Sequence, residues 1–268
     1  MNLDLISSKL EQLQAPQGQN NNQQKFDRSQ YFWKAPMGKS QIRFVPYKEN
    51  KDNPFSEVYF HYGIGNRTMI SPINYGEKDP IVEFSKELRK TSEPENWRLA
   101  KKLEPKMRVF APVVVRGEEN KGVRFWEFGK QVYQELLSYA ADEDYGDFTD
   151  VVSGLDMTVE VVQGNPYPQT SLRVKPKQSP LSDDNASVEK WLADQPELLK
   201  YYKKYSYDEM KTALQDWLNP ESTEESVPDV VNPNISAEEL ASKDTGYTLN
   251  VKKKESFNDN EFEELFKD

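Results

Sequence analysis

The residues best suited to do chemistry in this chain are basic and aromatic side chains set two apart: Arg124, Trp126, Phe128 and Lys130 in one run, and Arg108 and Phe110 in the run before it. Alternate residues of a β-strand share a face, so a strand over 122–129 carries basic, aromatic, aromatic, basic on one side. The preceding strand, over 107–116, sets Arg108, Phe110, Pro112, Val114 and Arg116 on one side. Met107, Val109, Ala111, Val113 and Val115 form an apolar opposite face. Together the two strands read as a hairpin. Single-stranded nucleic acid suits such a mixture, because its bases present flat π faces to rings and its phosphates attract Arg and Lys; stacking contributes about 1–3 kcal/mol per base. Large aromatics also fill protein cores, with basic residues as a solvated rim. Both readings of Trp126 and Phe128 are open on the hairpin alone.

The remaining chain supplies more of the same chemistry. A strand over 41–47 sets Ile42 and Phe44 against Arg43 and Val45 and closes on Tyr47. A strand over 56–63 carries Tyr59 and His61 on one face and Val58, Phe60 and Tyr62 on the other, with Arg67 beyond its glycines. A strand over 170–177 lines up Arg173, Lys175 and Lys177 opposite Leu172 and Val174. The expected nucleic-acid surface therefore stacks bases on Trp126, Phe128 and Phe110, with Tyr47, Tyr59 and Tyr62 in support. Arg43, Arg67, Arg108, Arg124, Lys130, Arg173 and Lys175 form its phosphate track.

A further strand over 155–163 and a helix over 130–141 complete an α+β pattern. We expect a five-stranded, OB-fold-like antiparallel barrel with a helical insertion at 66–104 and flanking helices within 187–218; an unrelated α+β sheet is the alternative. Around this core, 30–218, lie two polar segments. Residues 1–29 read as a short amphipathic helix, with Leu3, Ile6, Leu10 and Leu13 in line, followed by an Asn/Gln-rich linker. Residues 219–268 hold 13 acidic and 5 basic residues and are expected to be a disordered acidic tail, ending in Phe257, Phe262 and Phe266 among acids, a pattern suited to partner binding.

Composition narrows the function. The chain of 268 residues has no cysteine and one histidine, which removes thiol chemistry and the usual zinc ligand sets; no metal or other cofactor is expected, and His61 is expected to play a structural or binding part. The net charge of −10 is concentrated after residue 180, where 10 basic and 21 acidic residues fall, so the core itself is close to neutral and free to bind a polyanion. No apolar run approaches the about 18 residues of a membrane span and no secretory signal is visible, so a soluble cytosolic protein is expected. Two rival functions remain: a metal-dependent nuclease using Asp142, Asp144 and Asp147, and a scaffold whose hairpin binds another protein.

From Trp33 to Lys177 the chain resembles the helix-destabilising single-stranded DNA-binding proteins of T-even-like bacteriophages. The resemblance rests on Ile42-Arg43-Phe44-Val45-Pro46, on His61 ahead of a glycine, on Phe110-Ala111 before a valine run, and on Trp126-Glu127-Phe128-Gly129-Lys130 followed by Val132-Tyr133. It implies a non-enzymatic protein that coats single-stranded DNA in phage replication, recombination and repair, in the cytoplasm of the infected host. It also implies self-association through the N-terminal segment, where Ser7, Ser8 and Lys9 keep part of the family's basic motif, and replication and recombination partners for the acidic tail. The family's zinc subdomain is not matched: Tyr75 stands where its histidine is expected, and Asp79 and Val82 where a Cys-x-x-Cys pair is expected. The insertion is then expected to be held by packing of Ile81, Phe84, Leu88 and Trp97.

Overall fold

The computed structural model describes residues 27–50, 52–65 and 67–219. Its strands are β1 (Phe32–Trp33), β2 (Gly38–Phe44), β3 (Ser56–Ile64), β4 (Arg67–Ile70), β5 (Lys106–Val115), β6 (Arg124–Phe128), β7 (Leu155–Val162) and β8 (Gln169–Gln178). Its α-helices are α1 (Pro80–Lys90), α2 (Pro94–Leu103), α3 (Lys130–Ala140), α4 (Asn185–Ala193) and α5 (Tyr207–Leu218).

All eight strands join one mixed sheet, ordered β1-β6-β5-β2-β7-β8, with β3 on β5 and β4 on β3. Strand β5 explains this branching. One of its edges pairs with β6 through Val109–Val113; the other is shared, first by β3 up to Phe110 and then by β2 from Val113. Pro112 sits at the changeover, where a missing N–H breaks no ladder bond, and its carbonyl accepts from the Val45 amide at 3.0 Å. With neighbours on both edges and layers on both faces, β5 is buried from Val109 to Val115.

Three packed regions follow. The apolar face of β2, β5, β6 and β7, with Ile42, Phe44, Val113 and Met157, is covered by Val132, Tyr133 and Leu136 of α3. A second cluster packs Ile81, Phe84 and Leu88 of α1 and Ala100 and Leu103 of α2 against Met210 and Leu214 of α5. On the other sheet face an aromatic layer of Phe32, Phe60, Phe110 and Phe125 lies beneath the Leu198–Tyr201 turn.

The insertion is fastened to the sheet by a polar anchor. Asp79 caps α1, accepting from the amides of Ile81 (2.9 Å) and Val82 (3.2 Å). Its second oxygen accepts from His61 Nε2 at 2.9 Å and from the Ser71 hydroxyl. His61 Nδ1 lies 3.0 Å from the Leu103 carbonyl at the end of α2. Burial pushes the Asp79 carboxyl upward, but the bonds from His61, Ser71 and Val82 outweigh it and hold the group below its ordinary 3.8.

The six expected strands and the helix after the hairpin are present within a few residues of their expected ends. The expected α+β class is borne out, and the strands number eight in one mixed sheet that is open among the described residues. The added strands, β1 and β4, are too short to show an alternation. The insertion contains β4 as well as its two helices, and Trp97 is half exposed rather than packed in it. The N-terminal helix with Ser7, Ser8 and Lys9, and the tail with Phe257, Phe262 and Phe266, lie outside the described residues.

Asp79→Asn is expected to lower the unfolding free energy by about 1–3 kcal/mol at neutral pH, as befits a buried carboxylate with several donors. Because the folded pKa lies below the unfolded one, the contribution is complete above 3.8 and is lost as pH falls through the lower folded value. Urea titrations at neutral and acid pH should therefore show the variant's deficit shrinking toward acid.

Candidate nucleic-acid interface

The hairpin register decides the fate of the expected stacking platforms. Val109 pairs with Phe128, Ala111 with Trp126 and Val113 with Arg124. Cross-strand partners share a face, so Trp126 and Phe128 join the apolar side of β5 and point inward. Trp126 is 3% exposed, its ring 4.8 Å from Phe128 and 5.7 Å from Trp33. Phe110 and Tyr47, on the opposite face, are buried under the aromatic layer, with Tyr47 5.6 Å from Phe125. None of these four offers a ring face to a base.

Two of the expected phosphate contacts are corrected as well. Arg43 is 0% exposed; it donates to Asp156 Oδ1 (3.1 Å) and to the carbonyls of Asp150 (3.2 Å) and Ser179. Arg116 grips the same aspartate at 2.8 Å, so a buried network joins β2, β7 and the chain after β8. Arg124 is buried beside Val113 and donates to Glu118 Oε2 at 2.6 Å. A guanidinium sealed in this way is a structural cation.

The other expected residues lie nearer the surface. Arg67, Lys130 and Arg173 are exposed, and Lys175 on edge strand β8 donates to Gln41 Oε1 at 2.6 Å. Tyr59 is half-buried and donates to Glu57 at 3.2 Å. Tyr62 and Arg108 come together on the aromatic face, at the rim left open by the Leu198–Tyr201 turn.

That rim is the best-built basic and aromatic surface among the described residues. The Arg28 guanidinium sits 4.3 Å from the Phe32 ring centroid and 5.3 Å from that of Tyr202, and it donates to the Tyr202 hydroxyl at 2.8 Å. Arg108 Nε donates to Glu127 Oε1 at 2.8 Å, and Glu127 Oε2 stands 3.8 Å from Arg28. Tyr202 lies 5.0 Å from Phe60, and Tyr201 lies 4.7 Å from Tyr31. Burial, aided by Glu127 and opposed by Arg108 and Arg28, pushes the Tyr62 hydroxyl up to about 12; burial drives Tyr202 higher still. Both phenols stay neutral at physiological pH, with the Tyr202 hydroxyl accepting from Arg28.

A second surface was missed from the sequence. Trp97 on α2 is 50% exposed, with Lys101 Nζ 5.7 Å and the Arg89 guanidinium 5.9 Å from its ring. It lines a shallow hollow with Thr91, Pro94 and Arg98. Lys102 on the same helix stands 5.3 Å over Trp217 of α5. The signal was available: residues four apart share a helix face, and Lys101 follows Trp97 by four.

The acidic loop after α3 serves the backbone. Asp142 accepts from the Asp144 amide (3.0 Å) and Asp147 from Thr149 (2.8 Å), which are local turn bonds. No three His, Cys, Asp or Glu side chains gather as a metal site among the described residues. Asp79 is spent on His61, Ser71 and the α1 cap, and Val82 has no donor atom, so neither fits as a metal ligand. No helix among the described residues is long and apolar enough to cross a membrane.

Trp126→Ala is expected to cost about 3–5 kcal/mol in urea unfolding, the usual effect of emptying a core aromatic site. Trp97→Phe should change stability by less than about 0.5 kcal/mol while removing most of the iodide-quenchable tryptophan emission.

Comparison with known proteins bears on which ligand this surface takes. No curated protein matches the chain. A family model described as "gp32 DNA binding protein like" matches residues 37–218, which takes in the sheet from the end of its first strand, the insertion and both C-terminal helices. The chain belongs to the gp32-like DNA-binding protein family.

Proposed function

We propose that this protein binds single-stranded DNA without sequence preference and coats it during phage replication, recombination and repair in the infected host's cytoplasm. The carrying observation is a pair of basic and aromatic surfaces around a gp32-like domain: Tyr62, Arg108 and Tyr202 within it, part-exposed over the sheet and joined by Arg28 from just before it, and Arg89, Trp97 and Lys101 on the insertion. Aromatic rings take bases of any identity, and the guanidinium and ammonium groups take the common backbone. Binding single strands in preference to duplex draws melting forward by mass action.

Further parts of this reading come from the sequence. We read the sheet as an OB-like core and the insertion as a zinc-less variant of the family's metal subdomain, closed by the His61–Asp79 anchor and its apolar cluster. Arg67, Lys130, Arg173 and Lys175 extend the phosphate track. Ser7, Ser8 and Lys9 mediate self-association along the strand. The acidic tail, through Phe257, Phe262 and Phe266, recruits replication and recombination proteins and competes with DNA for the basic surfaces.

Titration with oligothymidine should quench tryptophan emission, and log K should fall with log salt by about 0.7 per phosphate neutralised. Trp97→Ala should lose about 1–3 kcal/mol of binding, the worth of one stacked base. No binding, or binding indifferent to salt, would leave a protein partner as the ligand. Removal of residues 219–268 should raise affinity at low salt; unchanged affinity would rule out competition by the tail.

A further inference from the structure

Glu127 is an unexpected side chain on a surface meant for a polyanion. It lies on β6, opposite Phe110 of β5, and so faces the aromatic layer. Its carboxylate spans two arginines that are far apart in sequence, with Oε1 on Arg108 Nε at 2.8 Å and Oε2 at 3.8 Å from Arg28. Among the described residues Arg108 makes no other hydrogen bond, so most of its donors are unspent. Arg28 is already fixed from two sides, over Phe32 and by the Tyr202 hydroxyl.

We propose that Arg28 and Arg108 form a subsite for one backbone phosphate, and that in the free protein Glu127 occupies it as a resident substitute for that phosphate. The proposal rests on the single-stranded DNA reading and adds to it a named subsite and a competing group. Three features support it. A carboxylate and a phosphodiester both present two oxygens to a guanidinium fork, so either can satisfy the same pair of arginines. The site carries two cations and one anion, which leaves it net positive with Glu127 in place. The ion pairs are part-exposed, with side-chain exposures of 23% for Arg28, 36% for Arg108 and 33% for Glu127. Pairs this wet are weak, and a stronger anion can displace the carboxylate at small cost.

Displacement has a measurable sign. Once a phosphate takes the arginines, Glu127 is left as a free anion near the DNA and gathers a cation. Glu127→Gln in the full chain should therefore bind oligothymidine about three- to tenfold more tightly at low salt, the scale set by two exposed ion pairs. Its log K against log salt should be steeper than that of the wild type. Glu127→Ala should move both quantities in the same direction, and thermal unfolding should establish that each variant is folded. In an Arg28→Gln, Arg108→Gln background, which should itself bind more weakly, Glu127→Gln should have no effect. Unchanged or weaker binding by folded Glu127→Gln and Glu127→Ala would overturn the proposal and make Glu127 a positioning residue for Arg108. A gain that persists without the arginines would also overturn it, as a mere loss of negative charge. Failure of the wild type to bind any oligothymidine would remove the underlying reading as well, and so is distinguishable from both.

Discussion

The sheet depends on β5 having more neighbours than a strand has edges. By handing one edge from β3 to β2 midway, it draws three strands around itself and keeps Val109–Val115 buried. Each layer is then committed. α3 takes one face, the aromatic layer and its turn take the other, and the insertion joins the sheet through β3 and β4. Tyr62 and Arg108 stand at the edge of the aromatic layer, and Trp97 on the outside of the insertion.

This constraint also explains what could be read from the sequence. Six strands and the hairpin were legible because their alternation runs over five residues or more. The roles of the hairpin's side chains were not, because period-two alternation names two faces without saying which is wet. When both faces are buried, basic and aromatic residues on either become interior. The register pairing Trp126 with Ala111 supplies the missing information, and Ala111 had already been read as part of the apolar face. Strands of two and four residues, β1 and β4, carry too few positions for any pattern to emerge.

Carboxylates assign the arginines their roles. Asp156 makes Arg43 structural, Glu118 does the same for Arg124, and both pairs are sealed on the arginine side. Glu127 holds Arg108 by the same bond type but in contact with water, so that pair can open. Charge counts along the chain cannot make this distinction, since all three arginines look alike on strands. Burial of the guanidinium itself separates a cation that holds the fold from one that can leave its partner for a ligand. His61 follows the same logic: a lone histidine reads as weak evidence for any role until Asp79 and the Leu103 carbonyl are seen on its two nitrogens.

The contact between Arg28 and Tyr202, 174 residues apart in sequence, has a further consequence. The chain enters the described fold beside Arg28 and leaves it after α5, where Trp217 lies under Lys102 of the helix that carries Trp97. The described fold thus begins at one of the two basic and aromatic surfaces and ends at the other. A ligand held at either surface therefore adds its binding free energy to the docking of the terminal element that builds that surface.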